Sequence, residues 1–401
     1  MRAFLDIPKS FQMTTRGSFP ILAMAIGSFA IGTGEFVIMG LLPEIAHSLS
    51  ISIPQAGHAI SAYALGVVIG APTLAVIVVR WERRCLLITL ILAFALGNFT
   101  SAGALGYISL NILRFVAGVP HGTYFGVAAL VAASLSPSNK RATAVGLMMS
   151  GLTISTLAGV PLAGWLGQNF GWRSAFILVG SIALLSAVMI RYALPVVSAP
   201  PGAGPMHELG GLCNRQVWLT LGISAIGLGG LFSVFSYVKP TMIEVAGMSI
   251  SSIPVVLALF GIGMVAGNLL GSRLANKNLM PVIGAMLLWA ITILGSYSFT
   301  AHYYIAGSIN VMLIGTIVAV GPALQIRLMD VAGDAQVIAA ALHHSAFNIA
   351  NALGAWLGGL AVDAGLGWTS TGWVGVGLGV GGLSIYMLAL ADMHHQCRKT
   401  V

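Results

Sequence analysis

A carboxylate, a guanidinium and a pair of imidazoles stand where this chain otherwise offers hydrocarbon. Glu35 sits in Gly32-Thr33-Gly34-Glu35-Phe36-Val37-Ile38-Met39-Gly40, inside an apolar run over 19–43. Arg114 sits in a run over 107–134, and His343-His344 in one over 335–362. An ionisable residue at membrane depth costs on the order of 3 kcal/mol, so it faces a bundle interior and marks a pathway for ions or substrate. A carboxylate beside a cation can load and release a proton as its surroundings change. Glu35 lies eight residues from the far end of its run, roughly 12 Å along a helix, and Arg114 seven residues into its own, roughly 10 Å. The two runs are antiparallel, which brings both charges to similar depth. The reading of this pair as titratable competes with a structural salt bridge.

The elements that must hold them are membrane helices. Of 401 residues, 57% are hydrophobic and 7% charged, against roughly a quarter charged in a soluble domain. The apolar runs are about 20 residues or longer, the length of a spanning helix, and lack the alternation of an outer-membrane barrel. The 51 glycines suit close helix packing. Twelve helices are expected, at 19–43, 54–79, 84–104, 107–134, 141–167, 172–194, 216–240, 252–275, 280–300, 303–328, 335–362 and 370–391. The long polar break at 195–215 carries Ser198-Ala199-Pro200-Pro201-Gly202-Ala203-Gly204-Pro205, which cannot continue a helix. It separates an N-terminal six-helix bundle, 1–194, from a C-terminal one, 216–401.

The net charge of +8 is scattered singly between apolar runs, which excludes a nucleic-acid face. It reads as topology. With a cytoplasmic N-terminus, fifteen basic residues lie inside, among them Arg2, Lys9, Arg16, Arg80, Arg83, Arg84, Lys140, Arg141 and Lys277. Only Arg173 and Lys239 lie outside, so both termini are expected in the cytoplasm. Residues 1–15 precede a run too long for a signal-peptide core and read as the lead into an uncleaved first helix. Cys85, Cys213 and Cys397 are far apart and read as reduced thiols.

The halves repeat. Gly66-x3-Gly70, followed by Arg80, matches Gly263-x3-Gly267, followed by Lys277, at an offset of 197 residues. Gly171-Trp172-Arg173-Ser174 matches Gly367-Trp368-Thr369-Ser370 at 196. With an even number of helices per half, the repeat is parallel. Helix four carries a stripe, Arg114-x3-Gly118-x3-Gly122-x3-Gly126, that permits close packing. Helix five carries Gly151, Gly159, Pro161 and Gly164, a static kink or a hinge. In helix eleven, His344, Asn348 and Asn351 share one face, as interhelical glue or as substrate contacts. His121, on helix four, reads as a packed, hydrogen-bonded residue at the cavity. Phe232, Tyr237 and Lys239, on helix seven, are candidates to line the outer part of the cavity, with core packing the stronger reading for Phe232. Asp330-x3-Asp334 superficially suggests a metal-diphosphate motif but has no second acidic cluster. GxxxxGK[ST], HExxH and GxSxG are absent, so neither ATP drive nor a catalytic set is indicated.

Together, Gly32–Pro43 (GTGEFVIMGLLP), Gly70-Ala71-Pro72, Arg114–Gly122 (RFVAGVPHG), Gly159-Val160-Pro161, Gly171-Trp172-Arg173 and Ser345-Ala346-Phe347-Asn348 resemble the drug/proton antiporter family of the major facilitator superfamily. Its arabinose-efflux-permease-like branch is most similar. The resemblance implies two six-helix bundles, helices one and four on a central cavity, and proton coupling at the helix-four arginine. It gives Arg80, Arg83 and Arg84 the role of a conformational loop between helices two and three, beside their role as positive-inside anchors. Val79 stands where that family carries aspartate, Glu82 where it carries glycine, and Asn276 replaces the acid in the second half. The expectation is a monomeric proton-coupled exporter of a sugar, nucleoside or drug-like molecule in the bacterial inner membrane. It would need no cofactor beyond the proton gradient and no metal. Glu35 and Arg114 are the expected proton site, with Tyr237, His344, Asn348, Asn351 and His121 around the substrate. A proton-symporting importer of the same fold and a non-transporting sensor are the alternatives.

Overall fold

The computed structural model describes residues 18–197, 204–333 and 335–400. Arg2, Lys9, Arg16, Asp334 and most of the Pro/Gly-rich run lie outside those residues, as does the side chain of Cys397. Among the described residues, twelve helices are long and apolar enough to span a membrane. In the first half they are α1 Phe19–Gly40, α2 Gln55–Ile77, α3 Arg83–Ala102, α4 Tyr107–Ser134, α5 Ser138–Phe170 and α6 Arg173–Ala193. In the second they are α7 Arg215–Glu244, α8 Ile253–Ala275, α9 Leu279–Thr300, α10 Tyr304–Val331, α11 Gln336–Leu366 and α12 Ser370–Met393.

Local chemistry sets the ends. Ser52 and Gln55 form a reciprocal capping box before α2, which satisfies two otherwise orphaned backbone donors. Gly171 and Gly367 precede α6 and α12 with φ of 88° and 79°, a backbone region closed to most L-residues. These are the positions that the repeat aligns. Glu82 caps α3, accepting from the backbone N–H groups of Arg84 and Cys85 at 2.8 Å each and of Val197 at 3.0 Å. Burial alone pushes the Glu82 carboxyl up. The three N–H donors and the Arg84 charge outweigh it and hold the group below the ordinary carboxylate value. The acid that departs from the family pattern therefore starts a helix and fastens the linker to it.

Three expectations change. The first helix ends at Gly40 rather than near 43, and a separate short helix, Leu42–Leu49, follows. Pro43 opens that helix, where its missing N–H is harmless. The linker, whose Pro/Gly-rich run is expected to continue no helix, contains a short one, Pro205–Gly211. Span α5 contains a π turn over Ser155–Gly159, just before Pro161. Proline cannot donate into the helical ladder, and the wider turn absorbs that interruption.

Glycine decides the packing. A Cβ on Gly66 or Gly70 would collide with the α4 backbone at Phe115 or Val119, and one on Gly118 with Tyr63. In the second half, Gly263, Gly267 and Gly315 meet Met312, Thr316 and Phe260 in the same way. Each partner is again displaced by 197 residues, so the duplication is written into the contacts. The halves meet through α2 and α4 against α11, and α5 against α8. Gly126 lies on the backbone of Ala340 and Ala341, Gly146 on Ser272. The Asn268 amide donates to the Gly146 carbonyl at 2.7 Å, and Arg141 pairs with Asp330 at 3.0 Å. These contacts lie toward the end of the bundle that carries the linker.

A Gly66→Leu substitution is expected to lower stability by about 1–3 kcal/mol or more, because a backbone carbonyl occupies the required space. Gly57→Leu, which meets nothing within 4 Å at its Cβ, is the control. Thermal unfolding in detergent compares the two.

Candidate transport site

Four spans bring the polar residues together. Span α1 contributes Glu35, α2 Tyr63, α4 Arg114 and His121, and α11 His344 and Asn348. Arg114 is fully buried and donates Nη2–H to the Gly34 carbonyl at 2.9 Å. Its guanidinium lies 4.3 Å from the centroid of the Tyr63 ring and 5.3 Å from that of Phe176. The rings supply negative faces to a cation that has left water. Nε and Nη1 remain without partners.

Glu35 is 6% exposed. Among the described residues its carboxylate makes neither a hydrogen bond nor an ion pair, although it lies in the field of Arg114. The two charges lie near each other without bonding directly. The guanidinium is pinned between two aromatic rings and bonded to the peptide beside Glu35, not to its carboxylate. Glu35 also lies nearer the helix end than the sequence suggests, five residues before Gly40, about 8 Å along the axis. Two buried donors without partners and a buried carboxylate without one form an unclosed constellation. The two guanidinium donors carry a desolvation cost of about 1–3 kcal/mol each while unmade.

From Arg114 a polar line leads to the other half. Tyr63 Oη shares a hydrogen bond with His121 Nδ1 at 2.9 Å. The His121 and His344 rings are 5.6 Å apart, and His344 stacks on Phe125 at 4.3 Å. His343 reaches Ser224 Oγ at 3.4 Å. Asn348 is buried and donates to the His344 carbonyl at 3.0 Å. His121 therefore joins the halves, and its buried, hydrogen-bonded packing is as expected.

Tyr237 and Asn351 are not part of this line. Tyr237 donates its hydroxyl to the Ala355 carbonyl at 2.8 Å and lies beside Trp368, a contact within the second half. Asn351 is half-buried farther along α11. Phe232 packs on Phe347, and Lys239 is exposed. Arg80, Arg83 and Arg84 stand at the linker end. Arg80 is exposed, Arg83 is 6% exposed, and Arg84 donates to the Leu194 carbonyl at 3.3 Å. Gly159 lies against Thr33 and Phe29 of α1, which brings the π turn onto the helix that carries Glu35. Asp330 is committed to Arg141, and the described residues hold no cluster suited to a metal. An open cavity lined by Glu44, His47, Gln168, Trp172 and Arg173 lies at the end away from the linker and does not include Glu35 in its lining.

Tyr63 and Phe125 escaped the sequence reading. Tyr63 has a usable signal, since three residues before Gly66 places it on the glycine stripe that meets α4. Gln325 was also missed. It is fully buried and its Nε2 donates to the Ala340 carbonyl at 3.1 Å. The line is confined to one half at its charged end: an offset of 197 carries Tyr63, Arg114 and His121 onto Phe260, Val311 and Val318.

Residues 24–340 match the family model of the Major Facilitator Superfamily. The chain belongs to that superfamily. It is 38% identical over 353 residues to the inner membrane transport protein YdhP of Escherichia coli strain K12, covering 88% of this chain and 91% of that one. To the chloramphenicol resistance protein of Streptomyces lividans it is 31% identical over 347 residues, covering 84% and 87%. These relatives agree with the drug-transporter and arabinose-efflux-permease-like branch. The crystal structure of FucP in the outward conformation superposes with a TM-score of 0.76 at 15% identity, over 93% of this chain and 99% of that chain. That likeness is one of fold. The major facilitator chain described here is a transporter of the bacterial inner membrane, and not an enzyme.

Tyr63→Phe keeps the ring beneath Arg114 and loses the bond to His121, an expected loss of about 1 kcal/mol. Tyr63→Leu loses both and is expected to cost about 0.5–2 kcal/mol more. Equilibrium unfolding of the purified variants measures the gap.

Proposed function

We propose that the chain exports a small molecule against its gradient by exchanging it for protons, with Glu35 as the residue that carries the proton. The observation that supports this reading most is the unclosed constellation at Glu35. A buried carboxylate with no bonded partner is free to exist in either protonation state. Arg114, held by the Gly34 carbonyl and two rings, places a fixed positive charge nearby and keeps two donors unused. A purely structural pair would be closed, since a buried ion pair offsets its desolvation only when its geometry is good.

Alternating access supplies the rest. The two halves rock about a site near the midplane, as parallel repeats of this fold allow. Protonation of Glu35 changes the charge that Arg114 faces. The Tyr63–His121–His344 line links that event to the surface where the halves meet. His121, His344 and Asn348 lie at the substrate's end of the line. Tyr237 and Asn351 contribute to the outer wall of the second half. Arg80, Arg83 and Arg84 face the cytoplasm with both termini, in keeping with the excess of basic residues on that side. Gly159 closes the flexing turn of α5 and Pro161 follows it. The chain works as a monomer and needs no cofactor other than the proton gradient. Export is favoured by the name of the Streptomyces relative, a resistance protein. A drug-like or sugar-sized compound is the substrate class.

In inside-out vesicles, Glu35→Gln is expected to reduce uptake driven by a pH gradient by tenfold or more. Substrate counterflow without a gradient is expected to persist. Unchanged gradient-driven uptake would remove Glu35 from the proton path. Accumulation in right-side-out vesicles under an inward proton gradient would instead indicate import.

A further inference from the structure

The linker-side closure is capped twice, by two different means. In the second half, Asn276 follows α8 and reaches across to the first half. Its Oδ1 accepts from the backbone N–H of Ala142 at 2.9 Å, and its Nδ2 donates to the Thr143 hydroxyl. Ala142 lies in the first turn of the α-helical part of α5, which begins at Arg141 and has no side-chain cap on its N-cap residue Lys140. Asn276 therefore satisfies a donor that a helix start leaves orphaned, and it does so between the halves.

The repeat demands a counterpart. An offset of 197 carries Val79 onto Asn276, and one of 196 carries Ala142 onto Ile338 in the first turn of α11. Val79 is 1% exposed and has no side-chain acceptor to offer. The N-cap residue of α11, Ala335, has none either. Yet the Ile338 N–H is satisfied: it donates to Glu208 Oε2 at 2.9 Å. Glu208 belongs to neither bundle. It lies in the short linker helix Pro205–Gly211, is 3% exposed, and stands in the field of Arg83 at the start of α3. The linker helix packs against both α2 and α11. One carboxylate thus stands in the field of a basic side chain of the first half and accepts from a helix N-terminus of the second, both of which favour negative charge.

We propose that Glu208 is a linker-borne latch, supplying to α11 the acceptor that Val79 lacks and so holding the two halves together at the linker end. For that end to open, α11 must move away from α2 and α4, and Glu208 must release Ile338 or Arg83. The linker becomes part of the gate, and its length and the placement of Glu208 bias the conformational equilibrium. The latch rests on the alternating-access reading but not on Glu35 as the proton carrier.

The test reads conformation directly. Spin labels are placed at Asn139→Cys and Lys277→Cys, both exposed at the linker end on opposite halves, with Cys85, Cys213 and Cys397 replaced by Ser. Pulsed dipolar spectroscopy in liposomes gives the short- and long-distance populations. Glu208→Ala is expected to shift their ratio toward the long distance roughly fivefold, the effect of losing one helix cap. Adding Val79→Asn, which restores the acceptor the repeat would place there, is expected to reverse the shift. If Glu208→Ala does not fold, Glu208→Gln keeps the shape without the charge and is expected to shift the ratio about twofold. A wild type with two populations whose ratio neither variant changes overturns the latch and leaves alternating access standing. A single, unvarying distance in the wild type overturns alternating access itself.

Discussion

The burial of Arg114 is the constraint on which the surrounding structure depends. A guanidinium in the membrane-spanning part of a bundle must find its compensation inside protein, because lipid offers none. Here that compensation is spread over a peptide carbonyl, two aromatic faces and the field of one carboxylate. Each demands a neighbour at close range. The carbonyl belongs to Gly34, so α1 must lie against α4. One ring belongs to Tyr63, so α2 must do the same. Backbones approach that closely only where side chains are absent, which accounts for the glycines at 66, 70 and 118 on facing surfaces. The glycine stripe and the buried charge are two aspects of one packing solution.

Duplication shows what is scaffold and what is chemistry. The glycine contacts of α2 with α4 recur in α8 with α10, down to the residue against which each glycine lies. The polar residues do not recur: Phe260, Val311 and Val318 occupy the places of Tyr63, Arg114 and His121. Phe260 stacks on Phe235 at 4.2 Å, an apolar contact where the first half keeps a cation over a ring. A bundle with this packing can therefore form without the charges.

Much of this was legible in the sequence. Helix number, the repeat and the placement of Glu35 among hydrocarbon follow from composition and periodicity, because a bilayer permits few spanning structures. The partner of Arg114 did not follow, because depth along a helix says nothing of azimuth or of competing aromatic faces. Tyr63 was hidden for a related reason: a tyrosine in an apolar run looks like core until its hydroxyl is seen to meet His121. Nothing in the sequence pairs the Tyr237 hydroxyl with the Ala355 carbonyl of another helix. The linker's proline and glycine content speaks against long helices but permits one short helix, and Glu208 sits in it.

The two caps at the linker end also explain why a departure from family pattern is tolerable. An acid lost at Val79 and at Asn276 would leave two helix starts uncapped at the surface where the halves close. Asn276 retains a neutral acceptor at the same place, which suffices for a helix start exposed on one side. At Ile338 the bond is buried and its acceptor also stands in the field of Arg83, where a neutral acceptor would leave no answering charge. A carboxylate is the better partner there, and the linker is the segment that passes within reach. On the latch we propose, the segment that joins the halves covalently also supplies the charge that holds them at that end.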